Sequence, residues 1–330
     1  MKRSYYIYNN GSLRRKDNTL TFTDENDDKR DLPIEQIHDI YVMSEMTFNT
    51  SLINLLSQYG IPVHFFNYYS FYTGSFYPRE RLVSGNLLVR QVEHYTDHEK
   101  RMELAKAFIE GASYNIYRNL RYYNGRGKDV QSYMNEIEDL RKQIPKAQSI
   151  QELMGYEGNI RKIYYSAWPV IIDQEIEFEK RVKNPPDNMV NTLISFVNTL
   201  IYTKMLGEIY QTQLNPTVSY LHEPGDRRFS LSLDLAEIFK PILGDRLIFS
   251  LLNRKQITEK NFTKGLNYLH LSQNASKTIV AELDAKMQTT IKHKALNKTV
   301  SYQYLMRLEC YKLVKHLLGE KVYEPFEIWW

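Results

Sequence analysis

Residues 105–120, AKAFIEGASYNIYRNL, show where the chain becomes helical. Their apolar side chains recur every three or four residues, which is the period of a helix with one buried face. These positions are Ala105, Phe108, Ile109, Ala112, Ile116 and Leu120. The turn sequence Asn-Gly-Arg-Gly at 124–127 is expected to end this helix.

Other segments of the C-terminal part share this spacing. Ser149 and Glu152 match the capping box that opens a helix. Further helices are predicted over 194–209, 231–239, 242–252, 275–291 and 302–318. We therefore expect an all-helical domain over residues 86–325, joined to the preceding part through residues 79–95.

The first 80 residues show strand patterns instead. Short runs rich in Tyr, Ile, Val, Thr and Phe lie between turn residues, at 5–8, 19–22, 37–42, 63–66 and 72–76. One helix, from Thr50 to Tyr59, is expected to end at Gly60. The predicted fold class is α+β and multidomain, with a small β-rich N-terminal domain (residues 1–80) before the larger helical one.

Composition limits the possible functions. The chain has 330 residues, of which 42% are hydrophobic and 25% are charged, as in ordinary soluble proteins. Its single cysteine, Cys310, excludes an intrachain disulfide and a multi-cysteine zinc site.

Neither a signal peptide nor a membrane-spanning apolar run is visible, so we expect a soluble cytoplasmic protein with no membrane partner. P-loop, GxSxG, GxGxxG and HExxH patterns are also missing, which argues against those enzyme classes.

Charge is distributed unevenly, although the net charge is only +4. Residues 129–239 contain 11 Lys and Arg against 16 Asp and Glu, whereas residues 240–321 contain 15 against 6. A catalytic metal site beside a phosphate-binding surface would give this pattern. A solvated basic helical surface explains it equally well.

Three segments are candidates for a site. Glu157 precedes Gly158 inside the helix opened by Ser149, and glycine there costs about 1 kcal/mol relative to alanine. Close approach of another group would explain this glycine. The simpler alternative is a surface ion pair between Glu157 and Arg161, one helical turn apart.

The second and third segments supply a histidine and two more acids. His222 precedes a charged Pro-Gly loop, where it could bind a metal or have a structural role; in that loop Arg227 and Arg228 suit phosphate contacts. Asp234 and Glu237 share one helix face beside apolar residues. Carboxylates near a core usually have a cation, unless this face is exposed to solvent.

Two carboxylates and one imidazole suit Mg²⁺ or Mn²⁺. Such ions activate an attacking oxygen and neutralise charge at phosphorus. A competing zinc site would use His94 and His98, spaced four apart, but no third ligand has a recognisable spacing. Tyrosine and basic residues also alternate, a pattern typical both of base stacking and of the edge of a core. These residues are Tyr114, Tyr117, Arg118, Arg121, Tyr122, Tyr123, Arg161, Lys162, Tyr164 and Tyr165.

In this order, the three segments resemble the CRISPR-associated adaptation integrase/endonuclease family, the first-numbered of the Cas proteins. The likeness covers nearly the whole chain, and it also includes residues 85–91, 191–202 and 220–222, and the run LDLAEIFKP at 233–241. By this resemblance the metal ligands and catalytic residues are Glu157, His222 and Glu237. Lys240 stands where many members have arginine. Asp234 matches an acid that we expect to support the ligands.

The resemblance implies that the protein inserts captured foreign DNA fragments into a CRISPR array by metal-dependent transesterification, with Mg²⁺ or Mn²⁺ as cofactor. The implied partners are double-stranded DNA, a second copy bound through the β-rich domain to form a homodimer, and the small ferredoxin-like, second-numbered Cas protein. The implied location is the prokaryotic cytoplasm. Two alternatives remain: a non-catalytic nucleic-acid-binding helical protein, and a metal-binding helical protein that acts on a small molecule.

Overall fold

The computed structural model describes residues 2–67, 69–79, 82–183, 185–225, 229–264, 269–293 and 296–329. The chain divides into two compact units, Met1–Val83 and Ser84–Trp330.

The N-terminal unit is built from strands and one helix. In chain order these are β1 (Arg3–Ile7), β2 (Gly11–Lys16), β3 (Thr19–Asp24), β4 (Lys29–Pro33), β5 (Ile37–Val42), β6 (Met46–Phe48), α1 (Thr50–Tyr59), β7 (Val63–Phe66) and β8 (Tyr72–Phe76). One four-stranded sheet has the order β1-β5-β7-β8 and another has the order β4-β3-β2-β6. Apolar side chains of both sheets and of α1 form one core.

Every strand run predicted for this unit is present, and α1 has the predicted bounds. The Asn49 side chain accepts a hydrogen bond from the Leu52 amide at 2.9 Å, and Gly60 ends the helix in the left-handed region, at φ 65°. The charged residues of β4 do not match any of the predicted strand runs, but Lys29–Pro33 pairs with β3. Because backbone groups make that pairing, exposed charged side chains do not prevent it.

The C-terminal unit contains most of the helices. They are α2 (Gly85–Thr96), α3 (His98–Asn124), α4 (Gln131–Arg141), α5 (Ile150–Ser166), α6 (Trp168–Ile171), α7 (Met189–Tyr210), α8 (Ser230–Phe239), α9 (Arg246–Asn253), α10 (Gln273–Gln288) and α11 (Tyr302–Leu317). Helix α7 is buried along most of its length, and α3 packs against both α5 and α8. Within the described ranges, no helix has the length and apolar character needed to cross a membrane.

The expectation of an all-helical C-terminal domain is wrong in one respect, because two hairpins lie between its helices. Strands β9 (Phe262–Lys264) and β10 (Leu269–Leu271) form the first, and β11 (Thr290–His293) and β12 (Lys298–Ser301) form the second. The predicted helix 275–291 therefore ends at Gln288. Thr290 and Ile291 are β-branched, and they pair with β12 instead of extending α10.

A π-helical segment, Lys240–Asp245, joins α8 to α9. Pro241 has no amide hydrogen to donate, which disturbs the regular helical hydrogen bonds at this point. Two asparagines of α3 donate to carbonyls on either side of this point: Asn115 to that of Ile238 at 3.0 Å and Asn119 to that of Pro241 at 2.5 Å. Gly244 allows close approach of α7, since a Cβ there would lie 2.7 Å from Ile201 Cδ1. The backbone that follows Glu237 is thus held by both α3 and α7.

Candidate active site

Glu237 lies buried in the last turn of α8, between two cations. Its Oε2 is 2.5 Å from Arg161 Nη2, and its Oε1 contacts Lys240 Nζ. Burial alone would raise the pKa of the Glu237 carboxyl, but Lys240, Arg161 and His222 together hold that pKa well below its usual range. Glu237 is therefore an anion at neutral pH.

Arg161 of α5 brings two of the predicted site residues together. Besides Glu237, its Nε lies 3.3 Å from Glu157 Oε1, and its Nη1 lies 3.7 Å from Asp245 Oδ2. The Glu157–Arg161 ion pair considered from sequence is thus present. It is not a surface pair, because only 10% of the Arg161 side chain is exposed. Beside it, a Cβ on Gly158 would have no neighbour within 4 Å, so packing within the chain does not require that glycine.

His222 lies in the irregular segment between α7 and α8, and Asp234 holds it in place. One Asp234 oxygen accepts the backbone amides of Tyr220 and Leu221, at 2.7 and 3.0 Å. The other accepts the His222 amide at 3.0 Å and the His222 Nδ1 at 2.8 Å. Burial opposes protonation of the ring, but the hydrogen bond and charge of Asp234, with Glu237, give a net rise in the His222 pKa. In the neutral ring, a proton on Nδ1 leaves the lone pair on Nε2.

The solvent-exposed alternative for Asp234 and Glu237 is wrong, because both side chains are buried. The two carboxylates also contact different groups. Asp234 is occupied by the His222 segment, whereas Glu237 contacts Arg161 and Lys240. The repulsion expected between two acids one turn apart is therefore offset by separate groups.

The three predicted ligands do not form a ready coordination sphere in this arrangement. Within the described ranges, no group of three or more His, Cys, Asp and Glu side chains is placed to hold a metal ion. Glu157 and Glu237 meet at Arg161, and the charge of Glu237 acts on His222. The joint ligand set of Glu157, His222 and Glu237 stays a prediction, with a donor chemistry that suits Mg²⁺ or Mn²⁺.

The competing zinc site is not supported by the structure. α2 ends at Thr96 and α3 begins at His98, with Asp97 as its cap, so His94 and His98 do not share a helix. The two rings lie against different backbone carbonyls, those of Arg90 and Gln148. The predicted phosphate contacts of Arg227 and Arg228 fall outside the described residues.

The alternating tyrosines and basic residues contribute to packing within the chain. Arg141 lies over the rings of Tyr114 and Tyr117, and Arg246 lies over that of Tyr122. Tyr164 is fully buried, and its hydroxyl accepts a hydrogen bond from Asn119. For these residues, the core-edge interpretation accounts for the pattern.

Sequence reasoning missed Asp245 altogether, and it missed the contact of Arg161 with Glu237. The structural role of Arg161 is hidden because its partner Glu237 lies 76 positions later in the chain. Asp245 carries no local signal except its position just after Gly244. Burial raises the Asp245 pKa to about 6, although Arg161 and Lys240 oppose that rise.

Comparison with known proteins identifies the family. Residues 5–285 match the family model described as CRISPR associated protein Cas1. Over 330 residues, the chain is 68% identical to the CRISPR-associated endonuclease Cas1 of Fusobacterium nucleatum, covering 100% of this chain and 98% of that one.

Solved structures agree. A Cas1 protein from Thermotoga maritima superposes with a TM-score of 0.87 at 40% identity, covering 98% of this chain and 100% of that one. A casposase bound to its integration product has the same fold, with a TM-score of 0.87 at 20% identity, covering 98% of this chain and 92% of that one. From the family model and the identity with its relatives, we conclude that this chain belongs to the Cas1 family.

Proposed function

We propose that this protein is a DNA integrase and endonuclease that inserts captured foreign DNA into a CRISPR array. The observation that carries the proposal is the buried cluster of Glu157, Arg161 and Glu237 next to the Asp234–His222 pair. It occurs in a chain that is 68% identical to a Cas1 endonuclease. Buried, charge-paired acids beside an oriented imidazole are typical of an active site rather than of a structural core.

In the proposed reaction, a DNA 3′-hydroxyl oxygen attacks an array phosphodiester. A new P–O bond forms while an existing P–O bond breaks, so the attacking hydroxyl loses a proton and the departing oxygen gains one. When water attacks instead, the outcome is strand cleavage. Glu157, His222 and Glu237 would hold Mg²⁺ or Mn²⁺, which activates the attacking oxygen and stabilises charge at phosphorus.

The neighbouring residues prepare this site. Arg161 and Lys240 keep Glu237 ionised within a buried environment, so that the carboxylate is available as a ligand. Asp234 fixes the ring of His222 through Nδ1 and leaves Nε2 to bind an ion. Glu157 and Glu237 both contact the Arg161 guanidinium. We therefore expect metal binding to draw one of these two carboxylates away from it.

The proposed partners follow from family membership. They are double-stranded DNA, the small ferredoxin-like, second-numbered Cas protein, and a second copy of this chain bound through the β-rich unit. Support for the second copy lies at β8, which is an edge strand of its sheet. Tyr69 and Phe71, just before β8, are exposed although they are large and aromatic. Exposed apolar side chains beside the edge strand of a sheet favour association.

The test is replacement of Glu237 by glutamine, which keeps the shape and removes the charge. With Mg²⁺ or Mn²⁺ present, we expect Glu237→Gln to lower the rate of strand transfer by about 100-fold or more, because an electrostatic contribution to the transition state is lost. DNA affinity should stay within a few-fold of wild type. The measurement is an integration assay run beside a DNA-binding titration.

Glu157→Gln serves as a second variant, because the Glu157 side chain is partly exposed and its replacement carries less risk to folding. The matched control is Glu136→Gln, an exposed acid on α4. Wild-type activity in both site variants would contradict the proposal. DNA binding that needs no metal, with no strand transfer in the wild type, would favour a non-catalytic DNA-binding protein.

A further inference from the structure

The segment that carries His222 depends on side chains for its shape. Residues 211–225 contain no helix or strand, although every one of them is described. Without regular backbone pairing, the polar groups of such a segment need other partners. Asp234 and Ser230 of α8 supply some of these partners, side chains of the segment itself such as Ser219 supply others, and groups on α2 and α3 supply the rest described below.

Arg101 of α3 holds the segment at two points on either side of His222. Its Nε donates to the Tyr220 carbonyl at 2.9 Å, and its Nη2 donates to Glu223 Oε1 at 2.6 Å. Tyr220 lies two residues before His222, and Glu223 lies one residue after it. Only 14% of the Arg101 side chain is exposed, and its hydrogen bond to the Tyr220 carbonyl is partly buried, whereas the Glu223 side chain is largely exposed to solvent.

Helix α2 completes this support. Gln91, which is buried, makes two hydrogen bonds with the backbone of Asn215, accepting at 2.8 Å and donating at 3.1 Å. The hydroxyl of Tyr95 donates to Glu223 Oε2 at 3.0 Å. The ring of Tyr95 also lies against the Arg101 guanidinium, 4.5 Å from centroid to Cζ. The segment is thus attached to α2, α3 and α8.

We propose that Arg101 is a positioning residue for strand transfer: by holding the Tyr220 carbonyl and the Glu223 carboxylate together, it fixes the His222 imidazole for metal binding. The inference rests on the proposed function, since it takes His222 to be a metal ligand.

The geometry of the guanidinium explains why arginine suits this position. Its planar fork donates in two fixed directions, so one side chain restrains two groups that are three residues apart. Asp234 fixes the ring at Nδ1, but it also relies on the backbone of residues 220–222 staying in place. Loss of Arg101 would remove the donor to the Tyr220 carbonyl and the partner of Glu223, and we expect the backbone that carries the ring to shift even though Ser219 Oγ still donates to the His222 carbonyl at 2.6 Å. Outer contacts of this kind typically change metal affinity 10- to 100-fold.

The test measures Mn²⁺ binding directly, by electron paramagnetic resonance titration of the full chain without DNA. We expect Arg101→Ala to weaken Mn²⁺ binding about 10-fold. In the integration assay, the half-saturating Mn²⁺ concentration should rise by the same factor, while the rate of strand transfer at saturating Mn²⁺ changes little. Arg101→Lys restores the charge next to Glu223 but cannot also reach the Tyr220 carbonyl, so we expect partial recovery.

Arg90→Ala is the matched control, because Arg90 forms an exposed ion pair with Glu93 at 3.0 Å on α2. It should leave Mn²⁺ affinity unchanged. Glu223→Ala should weaken binding less than Arg101→Ala, because it leaves the bond from Arg101 to the Tyr220 carbonyl, and adding it to Arg101→Ala should cost little more, because the contact between Arg101 and Glu223 is already lost. As Glu223 is largely exposed, that variant gives an answer even if Arg101→Ala fails to fold.

His222→Ala separates this inference from the proposed function. If His222→Ala binds Mn²⁺ as tightly as wild type, His222 is not a ligand and the proposed metal site itself fails. If His222→Ala weakens binding whereas Arg101→Ala and Glu223→Ala do not, the metal site stands and the positioning role of Arg101 is overturned.

Discussion

Arg161 shows how a single side chain can organise a cluster of acids. Its guanidinium contacts Glu157 and Glu237 and lies near Asp245, while Lys240 contacts Glu237 from the other side. Three acids thus face two cations, and the cluster keeps a residual negative charge that suits a divalent ion. Removing Glu237 would leave Arg161 and Lys240 as poorly compensated buried cations, which costs stability. Glutamine also removes the charge, but it fills the same volume and keeps an oxygen that can accept a hydrogen bond from Arg161 or Lys240, so it disturbs the fold less than alanine.

The pKa of Asp245 predicts a pH dependence of stability. That pKa is raised to about 6 by burial, from an ordinary value of 3.8, so the folded state binds more protons than the unfolded state between these values. The contribution of Asp245 to the free energy of unfolding is therefore fully present below about pH 4, and it is lost as the pH rises through 6. Relative to wild type, Asp245→Asn should therefore gain stability on going from pH 4 to pH 7, by at most about 3 kcal/mol.

Urea unfolding at several pH values measures this gain. The asparagine also alters the contact with Arg161, which shifts the free energy of unfolding at every pH. The prediction therefore concerns how the difference between variant and wild type changes with pH, and not its absolute size. Asp139→Asn, at an exposed acid on α4, is the control and should show no such trend. A stability difference between Asp245→Asn and wild type that stays constant from pH 4 to pH 7 would show that Asp245 titrates normally.

At the scale of elements, the π-helical segment depends on α3. Asn119 satisfies the Pro241 carbonyl, and its neighbour one turn earlier, Asn115, satisfies that of Ile238. Asn115 also accepts the Ile328 amide and donates to the Phe326 carbonyl, which attaches the C-terminal residues to α3. Buried carbonyls at an irregular helix turn are costly when they lack a donor.

Asn119→Leu tests this dependence. The leucine has a similar volume but no donor, so it removes the hydrogen bond to the buried Pro241 carbonyl, and we expect a loss of about 1 kcal/mol in the free energy of unfolding. Because Glu237 lies four residues before Pro241, strand transfer should also fall in protein that is still folded. Denaturant unfolding and the integration assay measure the two effects. Asn135→Leu, at an exposed position on α4, is the control, and equal stability of the two variants would rule out the role of Asn119.

The elements that sequence predicts well are those fixed by local chemistry. Helix α1 has both a capping side chain at Asn49 and a left-handed glycine at Gly60, and its bounds follow from these. Strand β4 and the two C-terminal hairpins pair with neighbouring strands through backbone groups, and their short polar runs lack the periodicity that would indicate a strand. In the site, the Glu157–Arg161 pair is visible in sequence because it is local. The contact of Arg161 with Glu237 is not, since only the packing of α5 near α8 creates it.

In the whole molecule, some of the charged residues that make the sequence asymmetric are buried and do not contribute to the surface. Lys240, the first residue of the basic segment 240–321, is buried against Glu237 and cannot contribute to an open surface. Other cations of the segment are exposed: Arg254, Lys255, Lys260, Lys292, Lys298, Lys315 and Lys321. A phosphate-binding role of this segment would therefore fall on these side chains.

Charge reversal on the β11–β12 hairpin tests that role. Lys292 and Lys298 are both exposed, on strands that pair with each other. Replacing both with glutamate should weaken binding of double-stranded DNA for every sequence, because phosphate contacts carry no sequence information. The slope of log affinity against log salt should become shallower by about two, roughly one for each lost phosphate contact. The control is the same double reversal at Lys142 and Lys146, which are exposed in the acidic segment. If the hairpin variant keeps the wild-type slope, the basic excess of this segment is a solvated surface that does not contact DNA.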